Sequence, residues 1–588
     1  MAIPEGPDAM TGSVVEREDI LRTSISEKRR WRLHPLILCV LMMWSLIALM
    51  LLVFRASQND EYTFSGLFGS RFHKWVVYDS MLYLDMIEQS KQGAWLLENR
   101  FSPERGEPRY LNSIWTLTGK AAAATGLSSM TVFVLLRFLA VPVFMLALWW
   151  FIKEVVTRPA TRRLALFLIV FCGGIGWIFG IFARWVPAFR PLYTEGRSPE
   201  VSCFLSVLVS PHITLAMGMV LLILTGFILA SRGVRWPVYL TPAMVLALST
   251  FHPYDIAMLY GVGGAYVLLV WLNNGAMNRP LAITYLASMA VSAPVLAYHK
   301  WALLNAPDMA GLGEQNALPP ESSVQYILAL SPLLILAGIQ LFNRAVNFKS
   351  ASQGQLMIIA WALALPLLLY AYPVVPFAWK LGIAMPVPVF ILAAEWINKK
   401  LAADRVERRK DGAQTPSRMV AAIAVIIAVS VLSSVATLSA MTKAAVDRAF
   451  PFYLESKDLE AIEWLGEHGG RDDTVLSLRW RGLYVPHMAG MRAFMGHPIQ
   501  SVDYEGKEEV IESVFQKDEL QREDLEAFQR YNINWVFYGF SEQRIWKISQ
   551  PCDYLTLRFD NSRVRIFEVD RDKLPPYIRE SLSAGRGL

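Results

Sequence analysis

Asp79 and Asp85 stand beside Tyr78 and Tyr83 in the stretch VVYDSMLYLDMIEQSKQGAWLLENRFSPE (76–104), which begins shortly after a long apolar run and ends on Glu104. A fixed carboxylate at such a place can take the proton of an attacking hydroxyl. Asp79, Leu82, Tyr83, Met86 and Ser90 recur at helical spacing, which predicts a helix starting near Asp79 with a stripe that is part apolar and part polar, suited to the membrane surface. At the start of that helix Asp79 is favoured by the dipole, so a capping role accounts for it as well as a catalytic one. Glu104 is a candidate second acidic group.

Three further residues have types suited to a site. Lys380 lies between YPVVPF and the next apolar run, where an ammonium meets a lipid phosphate as a point charge or anchors a helix end by snorkelling. In HPYD, Pro253 divides an apolar run and leaves His252 and Asp255 three apart. A polar pair at membrane depth is functional by default, whereas at a shallow external turn it only satisfies backbone groups. One His and one Asp are too few for a metal site, and none is expected. Glu107, Glu195 and Glu200 belong to Pro/Gly-containing loops and read as solvated charges. His487 and His497 read as ordinary surface or core histidines. No phosphate-binding loop, dinucleotide fingerprint or serine elbow stands in a convincing context.

The elements that hold these residues are mostly membrane helices. Of the 588 residues 54% are hydrophobic and 12% aromatic, too apolar and too long a chain for one soluble domain. The net charge of +6 comes from basic residues in short connections between apolar runs, so no nucleic-acid partner is read from it. Four cysteines, Cys39, Cys172, Cys203 and Cys552, make neither a disulfide framework nor a metal pattern. The polar residues 1–33 end in SEKRRWR before an uncharged run, as in a retained signal-anchor with a cytoplasmic N-terminus.

Ten more apolar runs, near 129–152, 164–183, 204–230, 238–251, 256–272, 281–303, 324–342, 356–372, 381–397 and 419–441, bring the expected spans to about eleven. Alternation then places five basic connections inside, among them KEVVTRPATRR (153–163) and the run 398–418. Outside lie the first loop (55–128), 184–203, HPYD, 304–323, the turn with Lys380, and the tail from 442. The segment 111–126, interrupted by Lys120, reads as a juxtamembrane or re-entrant helix. The tail 442–588 mixes helical and strand patterns and predicts a small extracytoplasmic α/β domain after the 34–441 membrane domain.

A first span, an outside loop with Asp at a helix start, YL soon after, and G-x-W-L-x-x-N beyond it resemble the first extracytoplasmic loop of membrane glycosyltransferases with the GT-C fold. FHPYDIAMLYGV, PFAWKLGIAMPVPVFILAA, the tail stretch from RGLYVPH to IESVF, and YNINWVFYGF are similar to bacterial inner-membrane proteins of that type. The resemblance implies that Asp79 is the catalytic base, although Ser80 follows it where a paired acidic motif would place a second carboxylate. It also implies a polyprenyl-phosphate-linked sugar donor, whose phosphate Lys380 would hold; read from the residues themselves, Tyr83, Asp85, Glu104, His252 and Asp255 are further candidate substrate contacts. The acceptor would be a glycan, lipid or protein at the outer face, with membrane lipids around it, no cofactor, and an undecided divalent metal. A transporter and a catalytically inactive glycan-lipid-binding scaffold are the rival readings; the first lacks the internal repeat expected of transport folds.

Overall fold

Pro35–Ala56 starts where His34 Nδ1 accepts from the Leu36 amide at 3.3 Å and Pro35 supplies a φ suited to a first helical position. The computed structural model describes residues 34–372, 374–375, 377–411, 417–516, 522–545 and 554–574. The polar N-terminus, part of the basic 398–418 connection, Cys552 and the chain end lie outside the described residues.

Eight helices among the described residues are long and apolar enough to cross a membrane: Pro35–Ala56, Ser129–Val155, Pro159–Phe182, Pro211–Ser231, Tyr254–Asn274, Arg279–Asn305, Ala378–Lys410 and Arg418–Val446. A ninth crossing results if Ser323–Leu330 and Leu333–Val346, bent by 95°, count as one. The remaining two expected spans appear as the shorter apolar helices Pro237–Ser249 and Gln353–Leu369. At about 1.5 Å of rise per residue they are shorter than a hydrocarbon core of about 30 Å. Pro35–Ala56, Arg279–Asn305 and Arg418–Val446 leave most of their surface to lipid, while Pro211–Ser231 and Ala378–Lys410 are mostly buried in the middle of the bundle.

The connections sort into two groups that touch only within their own group in the following contacts. At one end Arg232 pairs with Glu154, Asn278 Nδ2 donates to Ser231 O at 2.7 Å, and Asn273 Nδ2 to Phe348 O at 2.8 Å. At the other end Ser113 Oγ meets Thr250 Oγ1 at 2.6 Å, Asn99 Nδ2 donates to Asp308 O at 2.7 Å, and Gln325 Nε2 to Pro191 O at 3.0 Å. This is the segregation that alternating crossings require. The first group holds the basic connections and the second the long loops.

The first loop is folded, with Trp75–Lys91 and Ser113–Thr125 packed against each other. Gly119 makes the crossing close, since a Cβ there would lie 2.5 Å from Ile87 O. Ser113–Thr125 therefore lies along its neighbour, and its Lys120 donates to Gly93 O at 2.7 Å. In the same loop β1 (Tyr62–Phe64) pairs antiparallel with β2 (Tyr453–Glu455), at the start of the tail.

The tail builds one mixed sheet from β3 (Thr474–Leu476), β4 (Arg492–Ala493), β5 (Ile533–Tyr538), β6 (Leu555–Asp560) and β7 (Arg565–Val569), in the order β4-β3-β5-β7-β6. The pairs β3–β4 and β3–β5 are parallel, and β7 runs antiparallel to both β5 and β6. Leu476, Phe494, Val514, Phe528 and Val536 close its core. The expected strand segments TVLSL, WVFYGF and VRIFEV supply β3, β5 and β7.

Candidate active site

Asp79 does not cap a helix. The helix begins at Trp75, and its N-cap position is Lys74, which makes no side-chain capping bond. Asp79 stands a full turn inside, and its Oδ1 lies 3.3 Å from His497 Nε2 of the tail. Nor does the helix lie on the membrane surface: twelve of its residues are buried, against Ser113–Thr125 on one side and Val485–Ala489 of the tail on another. Burial on several faces explains the mixed stripe, because polar positions have partners inside the protein.

The Asp79 side chain keeps 43% of its surface exposed although protein surrounds it, so it lies on the wall of an open recess. Burial raises its pKa, but the hydrogen bond from His497, with the charge of Lys380, outweighs that effect and holds it below the ordinary value. Asp79 is therefore ionised and accepting at neutral pH.

Around this recess the structure gathers residues from five segments. Tyr83, one turn after Asp79, stacks on Trp115 with ring centroids 4.5 Å apart and directs its hydroxyl to His212 Nε2 at 3.1 Å. The His212 and His252 rings are 6.0 Å apart, and His252 Nδ1 lies 2.9 Å from the fully buried Asp255. The HPYD turn thus holds a buried Asp255 against a partly buried His252 and is not fully exposed. Lys380 sits 4.0 Å above the Tyr254 ring and contributes to the electrostatics of both Asp79 and Glu200. Glu200, read from sequence as a solvated charge, has its pKa raised by burial; Lys380 and His252 oppose that rise and Asp79 adds to it.

Two expected contacts lie elsewhere. Asp85 lies 3.6 Å from Arg100 and accepts from Gln89 Nε2 at 2.8 Å. Burial pushes its carboxyl up to about 6 against the pull of Arg100. Glu104 pairs with Lys507 of the tail at 2.7 Å. Both carboxylates are taken up in the seam between the first loop and the tail, where Glu98 also meets Arg100, Arg471 and Arg492.

Of the other two loop acids Glu107 is exposed, as expected, and Glu195 is not. Glu195 is enclosed, with Oε1 accepting from the Trp177 amide at 3.1 Å, and burial pushes its carboxyl up to about 8. His487 is buried beside Glu88, away from the recess. Cys39, Cys172 and Cys203 are buried free thiols. Among the described residues no group of three or more His, Cys, Asp or Glu could hold a metal ion.

Sequence reasoning missed His497, His212 and Glu200. His212 follows Pro211 at the start of an apolar helix, a polar residue in the same setting as His252, and that was the available signal. His497 and Glu200 carry no local signal, since their partners lie far away along the chain.

No family model and no curated protein matches the chain in comparison. Among solved structures it resembles the apo oligosaccharyltransferase of Archaeoglobus fulgidus, at 13% identity and a TM-score of 0.55, over 93% of this chain and 75% of that one. Apo ArnT from Cupriavidus metallidurans matches at 12% identity and a TM-score of 0.44, over 89% of this chain and 97% of that one. The arabinofuranosyltransferase AftD from Mycobacteria matches at 13% and 0.45, over 90% of this chain and 40% of that one. The likeness to the oligosaccharyltransferase over nearly the whole chain, with a folded first loop set against a tail domain, gives this protein the GT-C fold of membrane glycosyltransferases.

Proposed function

We propose that the protein is a glycosyltransferase that moves a sugar from a polyprenyl-phosphate-linked donor to an acceptor at the outer face of a bacterial inner membrane. The observation that carries this reading is Asp79, an ionised and partly exposed carboxylate on which the Lys380 charge acts. The GT-C fold supports it, because the fold is that of an oligosaccharyltransferase.

In the reaction the acceptor's oxygen bonds to the anomeric carbon as the bond from that carbon to the phosphate oxygen breaks. Asp79 takes the acceptor's proton, and the electron pair leaves on the phosphate, whose charge the Lys380 ammonium offsets. Lys380 Nζ lies 4.0 Å from the centroid of the Tyr254 ring, and its ammonium carries three N–H donors, more than one ring face can engage. A single displacement inverts the anomeric centre. Asp85 and Glu104, the other acids of the first loop considered for the site, are engaged by cations in the seam and are not placed as nucleophiles.

The test is transfer by the purified protein in liposomes supplied with polyprenyl-phosphate sugars, followed by Asp79→Asn. The amide keeps the shape and an acceptor for His497 but cannot take a proton. Transfer should fall by about 10²–10⁴-fold with donor binding retained. Near-normal turnover by a folded Asp79→Asn protein would overturn the assignment.

A further inference from the structure

The proton on His497 is placed by its neighbours. Nδ1 accepts from the Ile499 amide at 3.1 Å and from the Gln500 amide at 3.3 Å. A nitrogen receiving two N–H groups holds its lone pair toward them, so the ring proton is on Nε2. Nε2 faces Asp79 Oδ1 and donates to it at 3.3 Å. Protonating Nδ1 as well would set three N–H groups against one another, so the arrangement is that of the Nε2–H tautomer.

The ring's position is fixed by the loop that carries the carboxylate. The Gly496 amide donates to Ser501 Oγ at 3.0 Å, and that hydroxyl donates to Phe101 O at 2.8 Å. The Val502 amide donates to Ser102 Oγ at 3.0 Å, and Asn99 Nδ2 to Gln500 O at 2.6 Å. Tyr78 and Phe101 flank the imidazole edge-on at 5.9 and 6.0 Å. The side chain is 2% exposed, too enclosed to reorient freely.

We propose that His497 is a positioning residue: as a neutral imidazole protonated on Nε2 it holds Oδ1 of Asp79, leaving Oδ2 to receive the acceptor's proton. The proposal rests on the assignment of Asp79 as base and makes the tail part of the working site, not an appendage. It is specific to the carboxylate form, because a protonated Asp79 offers Oδ1 a poorer acceptor.

The other groups that act on Asp79 are Lys380, His212, His73, Tyr83 and Glu200. At the far end of the same helix His487 faces Glu88, and Lys120 bonds Gly93 O. His497 is the one of these that donates a hydrogen bond to the Asp79 carboxylate among the described residues.

The experiment uses the full chain in liposomes with His497→Ala and His497→Gln, each measured for kcat, donor KM and the acid limb of the kcat/KM profile. Loss of the donor in His497→Ala should lower kcat on the order of 10- to 100-fold at unchanged donor KM and move the acid limb to higher pH, because Asp79 loses a bond to its charged form. His497→Gln, which keeps an N–H donor, should restore the limb toward wild type. An unmoved limb in His497→Ala overturns the proposal.

A second measurement needs no transfer. Nitrogen-15 NMR of histidine-labelled protein, with His497→Gln identifying the signal, should show Nε2 protonated and Nδ1 bare at neutral pH. An imidazolium or the opposite tautomer overturns it. If Asp79→Asn remains active, the assignment of the base fails even where this NMR result holds, so the two failures are distinct.

Discussion

Glu98 of the first loop and Arg492 of the tail form an ion pair in which neither side chain is more than 8% exposed, although 394 positions of sequence separate them. Burial raises the Glu98 pKa, but Arg492, Arg471 and Arg100 more than offset this and leave it below the ordinary value. Arg492 also donates to Asn99 O at 3.0 Å. Its guanidinium therefore fastens the segment that carries the His497 contacts.

Arg492→Ala takes one of three cations from a buried carboxylate and leaves Arg100 and Arg471, so it should cost less than the about 3–5 kcal/mol of breaking a buried pair outright. Unfolding of the purified protein in denaturant, or its cleavage by protease at the seam, should report that loss. Because the Glu98 pKa is depressed in the folded state, the stabilisation is present above the unfolded carboxyl's pKa and is lost as pH falls through the folded one. The wild type should thus lose stability on acidification through that window, and Arg492→Ala should lose less.

Lys380→Ala should weaken binding of polyprenyl-phosphate sugar, and Lys380→Arg should retain part of it, since the charge remains while the point-charge geometry changes. Binding of a fluorescent polyprenyl phosphate to both variants checks this. Unchanged affinity in Lys380→Ala would reduce the lysine to a cation resting on the Tyr254 ring.

A reporter fused after Arg418 should be cytoplasmic, and one fused after Leu588 extracytoplasmic. The prediction rests on the excess of basic residues in the connections at one end of the bundle and on the contacts that keep the two groups of connections apart. Finding both reporters on one side would break the proposed orientation.

The apolar runs were legible because a membrane crossing imposes length and hydrophobicity on consecutive residues. Tail strands such as β5 were legible for a similar local reason, a short β-branched and aromatic run. The start of the Trp75–Lys91 helix was not, since the rule that acids favour helix starts pointed to Asp79 while the chain uses Lys74 without a capping bond. Packing on several sides overrides that local preference. Asp79, Lys380 and the His252–Asp255 pair could be picked out as polar residues beside apolar runs. Nothing near His497 distinguishes it from His487, because its partner is 418 positions away. Asp85 and Glu104 could not be separated from Asp79 by residue type; the cations that engage them come from loop and tail positions fixed only by folding.

The β1–β2 pair joins Phe64 to Tyr453 and Tyr62 to Glu455, so the first loop's edge strand has no partner until the last membrane helix has left the ribosome. At synthesis rates of about 5–20 residues per second, Asp79 waits roughly 20–80 s for His497 to be made. Throughout that interval the carboxylate lacks its tail donor, and Glu98 lacks Arg492. A chain that stops before Lys507 thus leaves this edge or these acids without their tail partners, and the seam closes only once that point is passed. Synthesis of the tail as far as Lys507 becomes a built-in condition for assembling the recess and its seam.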